Sequence, residues 1–219
     1  MTWLYLLAAI ALLASPLASA LPDGTAVSDL VVTIAGQTGV PNLVSGVILQ
    51  TRLFDTVAEV VLFTLAALGV RELLKGEKER RRIKALEDAP SRVLCELGAT
   101  ISALLALELA LRGHLSPGGG FAAGVAGGTA IGLSLISGGA ERAQRLYRRY
   151  RADLLEKVAV LGFIVMSLVL LLGFALPQGV FGTLLSGGWI PWLNMLVALK
   201  VTLGSWAMVQ LFVRYRGLF

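Results

Sequence analysis

Two carboxylates, Asp55 and Glu59, lie four residues apart in an apolar stretch of the sequence. This spacing places them on one face of a helix, and Arg52 precedes Asp55 by three residues, near enough to pair with it. The three charges could bind a cation or pass a proton. Alternatively, Asp55 caps the helix start, where the dipole favours an anion, and Arg52 reaches toward water. Glu59 lies a full turn deeper, which favours a functional role.

Lys200 falls near the middle of another apolar stretch, Trp192 to Val213. A lysine so far from both ends either pairs with a buried carboxylate or exchanges protons because desolvation shifts its pKa. Asn194 is six residues away and not on the same helical face, so it is no obvious partner. Lys200 is therefore a candidate for a proton or ion path, and a salt bridge between helices is the structural alternative.

A third apolar stretch ends with Glu108 and, four residues later, Arg112, and the only histidine, His114, follows. The Glu108–Arg112 pair could neutralise itself and be structural, or Glu108 could face a polar interior. Glu96, near the other end of this stretch, is expected at an interface. His114 has an ordinary pKa of ~6.5, which suits a proton relay, although capping or interface roles are the common alternative.

The segment after His114 must break the helix, because Pro117 is followed by Gly118 and Gly119. Irregular backbone at membrane depth is tolerated where protein or a water-lined cavity covers it. Beyond the break, glycines recur at every fourth position: Gly120, Gly124, Gly128 and Gly132. Such a stripe of small residues favours close packing by a second helix more than chemistry.

The elements that position these residues are predicted to be membrane-spanning helices. The 219 residues are 56% hydrophobic and 15% charged, whereas soluble domains average about 45–50% apolar and about 25% charged residues. Six apolar segments approach the ~20 residues that a span needs: Trp3 to Ala20, Phe54 to Leu74, Val93 to Leu111, Phe121 to Ile136, Leu154 to Leu176 and Trp192 to Val213. We therefore expect an all-α, polytopic integral membrane protein with about six transmembrane helices.

Basic residues set the expected orientation. They cluster after the second and fourth segments and in the tail, whereas the connections 21–51, 113–119 and 177–191 carry no Lys or Arg. Excess Lys and Arg marks the cytoplasmic side. We therefore expect a protein of the cell membrane with both termini on the cytoplasmic side. The first segment ends in Ala18-Ser19-Ala20, which resembles a signal-peptidase site. No Lys or Arg precedes its apolar run, which favours a retained helix over a cleaved signal.

The chain divides into residues 1–76, with two helices joined by an external segment, a basic linker, 77–90, and a four-helix block, 91–219. The basic clusters lie between apolar runs, so the net charge of +5 indicates membrane orientation rather than nucleic acid. The sequence has no phosphate-binding loop, no paired-cysteine or histidine-rich metal motif and a single cysteine, Cys95. Catalytic residues, metal ligands and cofactors are therefore not expected.

The run HLSPGGGF, from His114 to Phe121, is similar to the GHxxPGGGF signature of the B subunit of Mrp-type (Mnh) multisubunit Na⁺/H⁺ antiporters. The block from Val93 to Val213 has the right size, and a buried lysine in the last helix fits that family. The residues after the signature vary here to Ala122-Ala123-Gly124, without chemical consequence. Separately, Asn42 to Val70 resembles the NxVxxILxxxRxxDTxxE segment that ends the A subunit of Mrp antiporters and recurs in a small subunit of membrane-bound hydrogenases.

These resemblances imply a fusion of two neighbouring antiporter pieces in a lipid bilayer. They also imply partner subunits of the Mrp type, including proton-pumping homologues of respiratory complex I, and Na⁺ or H⁺ as the transported ion. The resemblance also implies functional roles for five residues: Arg52, Asp55, Glu59, His114 and Lys200. Membrane-bound hydrogenases and their sulfur-reducing relatives share the module, so a respiratory redox complex is one alternative. A structural scaffold is the other.

Overall fold

The computed structural model describes Ile10, residues 24–78 and residues 86–216. Within this part of the chain the regular secondary structure consists of helices, without strands. The helices, numbered in chain order, are α1 (Gly24–Thr38), α2 (Leu43–Gly46, extended by a π-helical turn, Val47–Thr51), α3 (Leu53–Leu74), α4 (Ala89–Arg112), α5 (Gly120–Ser134, extended by a π-helical turn, Leu135–Gly139), α6 (Ala140–Arg149), α7 (Ala152–Leu171) and α8 (Ile190–Arg216).

In the part of the chain that the structure describes, five helices are long and apolar enough to cross a membrane: α3, α4, α5 with its π-helical turn, α7 and α8. Their lengths run from 19 to 27 residues, against the ~20 that cross a ~30 Å hydrocarbon core. The expectation of an all-α polytopic membrane protein is confirmed. The predicted first span, 3–20, lies outside the described residues except for Ile10.

The connection 21–51, expected as an external segment, is instead largely helical. Ser28–Thr38 and Leu43–Thr51 form a bent pair at 62°, which could count as a sixth span. The bend falls at Gly39, whose φ is +69°, and at Pro41, and Asn42 caps α2 with its side-chain oxygen. Each arm is too short to span on its own, so hydropathy did not predict the pair.

The central element of the bundle is α8, which packs against α3, α5 and α7. Its buried residues Leu193, Val197 and Val201 form a core cluster with Leu53 and Val60 of α3 and Phe163 of α7. By contrast, none of the residues of α4 is buried, and this helix packs mainly on α5. Thus α5 and α8 are the spans that protein covers most, and α4 is peripheral.

Glycines bring α5 and α8 into backbone contact. A Cβ added to Gly120 would lie 2.4 Å from Asn194 O, and one on Gly124 would lie 2.3 Å from Val201 Cβ. One on Gly128 would lie 2.6 Å from Ser205 Cβ. These distances leave no room for any side chain, so the partner helix that the stripe requires is α8 of the same chain.

Gly132 departs from the expected stripe, because a Cβ there would meet nothing within 4 Å. Every fourth residue drifts by about 40° around a helix of 3.6 residues per turn, so Gly132 has turned about 120° away from Gly120. Gly127 replaces it in the contact: a Cβ there would lie 2.4 Å from Thr202 Oγ1.

The linker is described only at residues 77–78 and 86–90. The helix after it begins earlier than predicted, at Ala89, because Asp88 caps it by accepting a hydrogen bond of 3.0 Å from the Ser91 amide. Hydrogen bonds from the side chain and the backbone amide of Ser91 lower the pKa of Asp88. Pro90 fits in the first turn, where its missing N–H costs nothing.

We predict that Gly124→Ala loosens the α5–α8 contact, because its methyl group would overlap Val201. Overpacking of this kind costs about 1–3 kcal/mol, measurable as a lower unfolding temperature in detergent. Gly132→Ala is the matched control on the same helix, and its added methyl group meets open space. Equal unfolding temperatures for the two variants would contradict the close contact.

Candidate functional site

Lys200 lies ten residues into α8 and is wholly buried, with 0% of its surface exposed. Its amino group has no hydrogen-bond partner among the described residues. Nζ instead lies 3.9 Å from the centre of the Phe63 ring of α3. A desolvated cation–π contact of this kind contributes on the order of 2 kcal/mol, far less than the hydration that a buried ammonium loses.

Glu156 of α7 is the carboxylate that interacts electrostatically with Lys200. Glu156 approaches α8 beside Gly204, one turn beyond Lys200. A Cβ on Gly204 would lie 2.7 Å from Phe63 Cε1 and 2.9 Å from Glu156 Oε1. The missing side chain of Gly204 therefore makes the space that Phe63 and Glu156 share, and the half-buried carboxylate lies one helical turn along α8 from the lysine.

A cavity of about 730 Å³ lies on the far side of Glu156. It is bounded by the end of α3, by α6, by the start of α7 and by the last turns of α8, the end of the bundle that carries the basic residues. Apolar side chains such as Leu68, Leu161 and Ile164 line it, together with the charged residues Arg71, Arg148, Asp153, Glu156 and Lys157. Glu156 thus lines a partly charged cavity and also approaches α8 at Gly204.

Tyr147 of α6 also lines this cavity and packs edge to face on Trp206, with ring centroids 5.2 Å apart. Burial, together with the negative charges of Asp153 and Glu156, raises the pKa of Tyr147 to about 12. The phenol is therefore neutral at physiological pH and can donate a hydrogen bond into the cavity.

The glycine-rich break lies at the opposite end of the bundle and is tied to α2 and α8 by side-chain amides. Asn42 donates to Gly113 O and to Ser116 O, both at 2.7 Å. Asn194 donates to Leu109 O at 3.2 Å and to Ala110 O at 2.7 Å. The carbonyls at the end of α4 have no partner within the helix, and these amides give them hydrogen bonds, as backbone at membrane depth requires.

The break depends on backbone that only glycine adopts readily, since φ is +143° at Gly118 and +102° at Gly119. A Cβ on Gly113 would lie 2.7 Å from Gly119 Cα and 2.8 Å from Asn194 Nδ2. Pro117 directly precedes these glycines. The predicted break between two helices is therefore present, and α8 closes over it.

His114 is wholly buried within this break. Nε2 lies 3.4 Å from Thr183 O, and Nδ1 has no hydrogen-bond partner among the described residues. Burial lowers the pKa of His114, partly offset by the backbone carbonyls of Thr183 and Leu184. The imidazole is therefore neutral near pH 7, with one ring nitrogen held by a carbonyl.

The remaining predicted residues lie on outward faces. Arg52 pairs with Asp55, whose side chain is 51% exposed, and Glu59 is exposed one turn further along α3. Arg112 pairs with Glu108 at 3.0 Å on the surface of α4. The structure therefore does not bring Asp55, Glu59, Glu108, His114 and Lys200 into one cluster. Among the described residues no three Asp, Glu, His or Cys side chains lie where they could hold a metal.

Comparison with known proteins identifies the family. A family model described as a domain related to the MnhB subunit of the Na⁺/H⁺ antiporter matches residues 90–207, more than half of the chain. The chain belongs to the MnhB family. No curated protein sequence matches it.

Two solved structures share the fold of this MnhB-family chain. One is a chain of the membrane-bound sulfane sulfur reductase (MBS), an archaeal respiratory membrane complex, with a TM-score of 0.72 and 24% identity over 97% of each chain. The other is a chain of the Mrp complex from Dietzia sp. DQ12-45-1b, with a TM-score of 0.69 and 22% identity. That match covers 98% of this chain and only 26% of the other.

The MnhB match confirms the resemblance that the HLSPGGGF run carries, since the run lies inside residues 90–207. It does not reach residues 42–70, so a fusion with an A-subunit piece stays a prediction. Phe63, which contacts Lys200, also lies outside the matched residues. The buried lysine of the MnhB domain is thus covered by a side chain from the preceding block.

Sequence reasoning missed Glu156 and Gly204, and it named Asn42 only as the first residue of a motif, without its hydrogen bonds to the helix break. Glu156 was a detectable signal, because it is a carboxylate just inside the apolar segment that begins at Leu154. Its position near the start of that segment resembles an ordinary interfacial charge. Only the packing of α7 on α8 shows that it approaches Lys200.

We predict that lowering the pH destabilises this protein through His114. Its pKa in the folded state lies below the unfolded value of ~6.5, so the unfolded state binds more protons in the acid range. The resulting stability is present above about pH 6.5 and decreases as the pH falls toward the folded-state value. Because His114 is the only histidine, His114→Gln should flatten the unfolding temperature between about pH 7.5 and 5.5.

The measurement is thermal unfolding in detergent, followed by tryptophan fluorescence across that pH range, for wild type and His114→Gln. Parallel curves for the two proteins would contradict a buried, neutral His114.

Proposed function

We propose that this chain is a membrane subunit of a multisubunit Mrp-type Na⁺/H⁺ antiporter, and that Lys200 takes part in the path of the ion or proton. The observation that carries the proposal is the burial of Lys200 in a membrane-spanning helix, with no hydrogen-bond partner among the described residues. Ionisable groups inside spans are costly and mark proton or ion pathways. A lysine kept only to lock helices would be expected to hold its carboxylate in a direct ion pair.

Charges on the outward faces support assembly with other subunits. The Arg52–Asp55 pair, Glu59 and the Glu108–Arg112 pair lie on the surface of spanning helices, where lipid would leave them desolvated. A neighbouring subunit that covers α3 or α4 would satisfy them. Asp55 and Glu59 then lie at a subunit interface, where they hold or relay the cation, and His114 lies near the external mouth.

The proposed orientation follows from the basic residues at the ends of α3 and α8 and in α6, which place that end of the bundle in the cytoplasm of the cell. The role is transport, and any redox chemistry would reside in partner subunits. A second candidate is the same module within a respiratory redox complex. It is favoured by the similarity to the sulfane sulfur reductase chain over nearly the full length of both chains.

We expect Lys200→Ala to abolish sodium-dependent proton flux in vesicles that carry the assembled complex. Loss of a proton-transferring group typically costs on the order of 10²-fold or more in rate. Lys157→Ala is the matched control: Lys157 is also beside Glu156, but is 70% exposed and paired with Asp153. Co-purification of the partner subunits checks assembly. Unchanged flux in an assembled Lys200→Ala complex would remove Lys200 from the path.

Native purification separates the two candidates. If redox subunits with iron–sulfur clusters co-purify with this chain, the redox complex is correct and the antiporter proposal is wrong.

A further inference from the structure

We propose that Glu156 and the cavity beside it form the access route by which protons pass between Lys200 and the basic end of the bundle. This inference rests on the proposed function, because it assigns a route to the ion path in which Lys200 takes part. Nothing in the family match or in the fold comparisons assigns a role to Glu156.

The surroundings of Lys200 leave Glu156 as its exchange partner. The ring of Phe63 lies 3.9 Å from Nζ and stabilises the ammonium through its π face, which accepts no proton. The described part of α5 carries no ionisable residue, and the carboxylates of Glu59 and Glu108 lie on exposed faces. Among the described groups, Glu156 is the one that interacts with the charge of Lys200.

Glu156 is half-buried, so one side of it faces the protein interior and the other lines the 730 Å³ cavity. Asp153 also lines the cavity, but it is bound to Lys157 at 2.8 Å and is 53% exposed. The remaining charges at the cavity wall, such as Arg71 and Arg148, are fixed cations. Glu156 is therefore the group through which a proton crosses from the cavity to the buried amine.

Gly204 supplies the space in which this exchange occurs. The carboxylate and the Phe63 ring both lie within 3 Å of the position that a Cβ of Gly204 would occupy. With no side chain there, the flexible side chains of Glu156 and Lys200 can approach each other across this gap, directly or through one water. An added methyl group would take up that space.

The step balances as a simple proton transfer. The Lys200 ammonium gives one proton to the Glu156 carboxylate, which leaves a neutral amine and a neutral carboxylic acid. The acid then passes that proton to water in the cavity and returns to the carboxylate. After the first step both groups are neutral inside the low-dielectric bundle. Release of the proton then leaves one negative charge, on Glu156, whose side chain lines the cavity where water can solvate it. The cycle closes when the neutral Lys200 amine takes up a proton from the ion path.

The first test measures access and does not depend on transport. In a Cys95→Ser background of the assembled complex, Glu156→Cys is exposed to a membrane-impermeant sulfonated methanethiosulfonate reagent in vesicles of either orientation. The thiol introduced by Glu156→Cys should react, and from the same face as that of Lys157→Cys. Ser167→Cys, 1% exposed further along α7, is the unreactive control. No reaction of Glu156→Cys, or reaction from the opposite face, would overturn the proposed route.

The second test measures sodium-dependent proton flux in the assembled complex. Glu156→Gln should lower the flux by about tenfold or more, as expected when a proton-transferring group is lost, and Glu156→Asp should restore part of it. Gly204→Ala should lower it in an assembled complex, whereas Gly162→Ala on α7, whose Cβ would make only ordinary contacts at 3.8 Å, should not.

The outcomes for Lys200 and Glu156 distinguish a failure of the proposed route from a failure of the proposed function. If Lys200→Ala abolishes flux and Glu156→Gln leaves it unchanged, the route through Glu156 is wrong and the role of Lys200 stands. If neither change matters, the proposed function of Lys200 fails as well.

Discussion

The arrangement of this chain depends on the backbone contact between α5 and α8. In a membrane, lipid tails are as apolar as leucine, so helices associate through close packing and hydrogen bonds rather than through the hydrophobic effect. Gly120, Gly124 and Gly128 provide such packing, because any side chain there would overlap α8. This contact fixes the rotation of α8, and the rotation turns Lys200 toward α3 and α7 and brings Asn194 onto the end of α4.

Two polar sites lie on α8, one at its start and one near its middle, and their buried polar groups are satisfied in different ways. At the first site, Asn42 and Asn194 donate amide hydrogen bonds to carbonyls that the broken helix leaves open. At the other, Lys200 has an aromatic ring and a nearby carboxylate but no fixed hydrogen bond. A buried amine without a hydrogen bond is more costly than the neutral imidazole and amide atoms left unpaired at the first site, so the retention of Lys200 in a span points to use rather than to stability.

The sequence alone predicts the fold class and much of the topology, because the length and composition of apolar segments decide whether they span a membrane. It also predicts the helix break at Pro117, Gly118 and Gly119 from backbone sterics. It does not predict the bent pair α1–α2, whose arms are each too short to register as a span. The proximity of Lys200 to Glu156 is not predictable either, since the two residues lie on different helices and only packing relates them.

The position of α8 at the end of the described chain affects how its lysine can enter the membrane. A helix with a central lysine inserts poorly alone, at a cost of about 2.5–3.5 kcal/mol on insertion scales. Ribosomes make the chain from its N-terminus, so α3 with Phe63 and α7 with Glu156 are both synthesised before α8. When α8 leaves the ribosome, the ring and the carboxylate that accompany Lys200 are already in the chain. The order of synthesis thus lets the span with the buried lysine pack against protein instead of lipid.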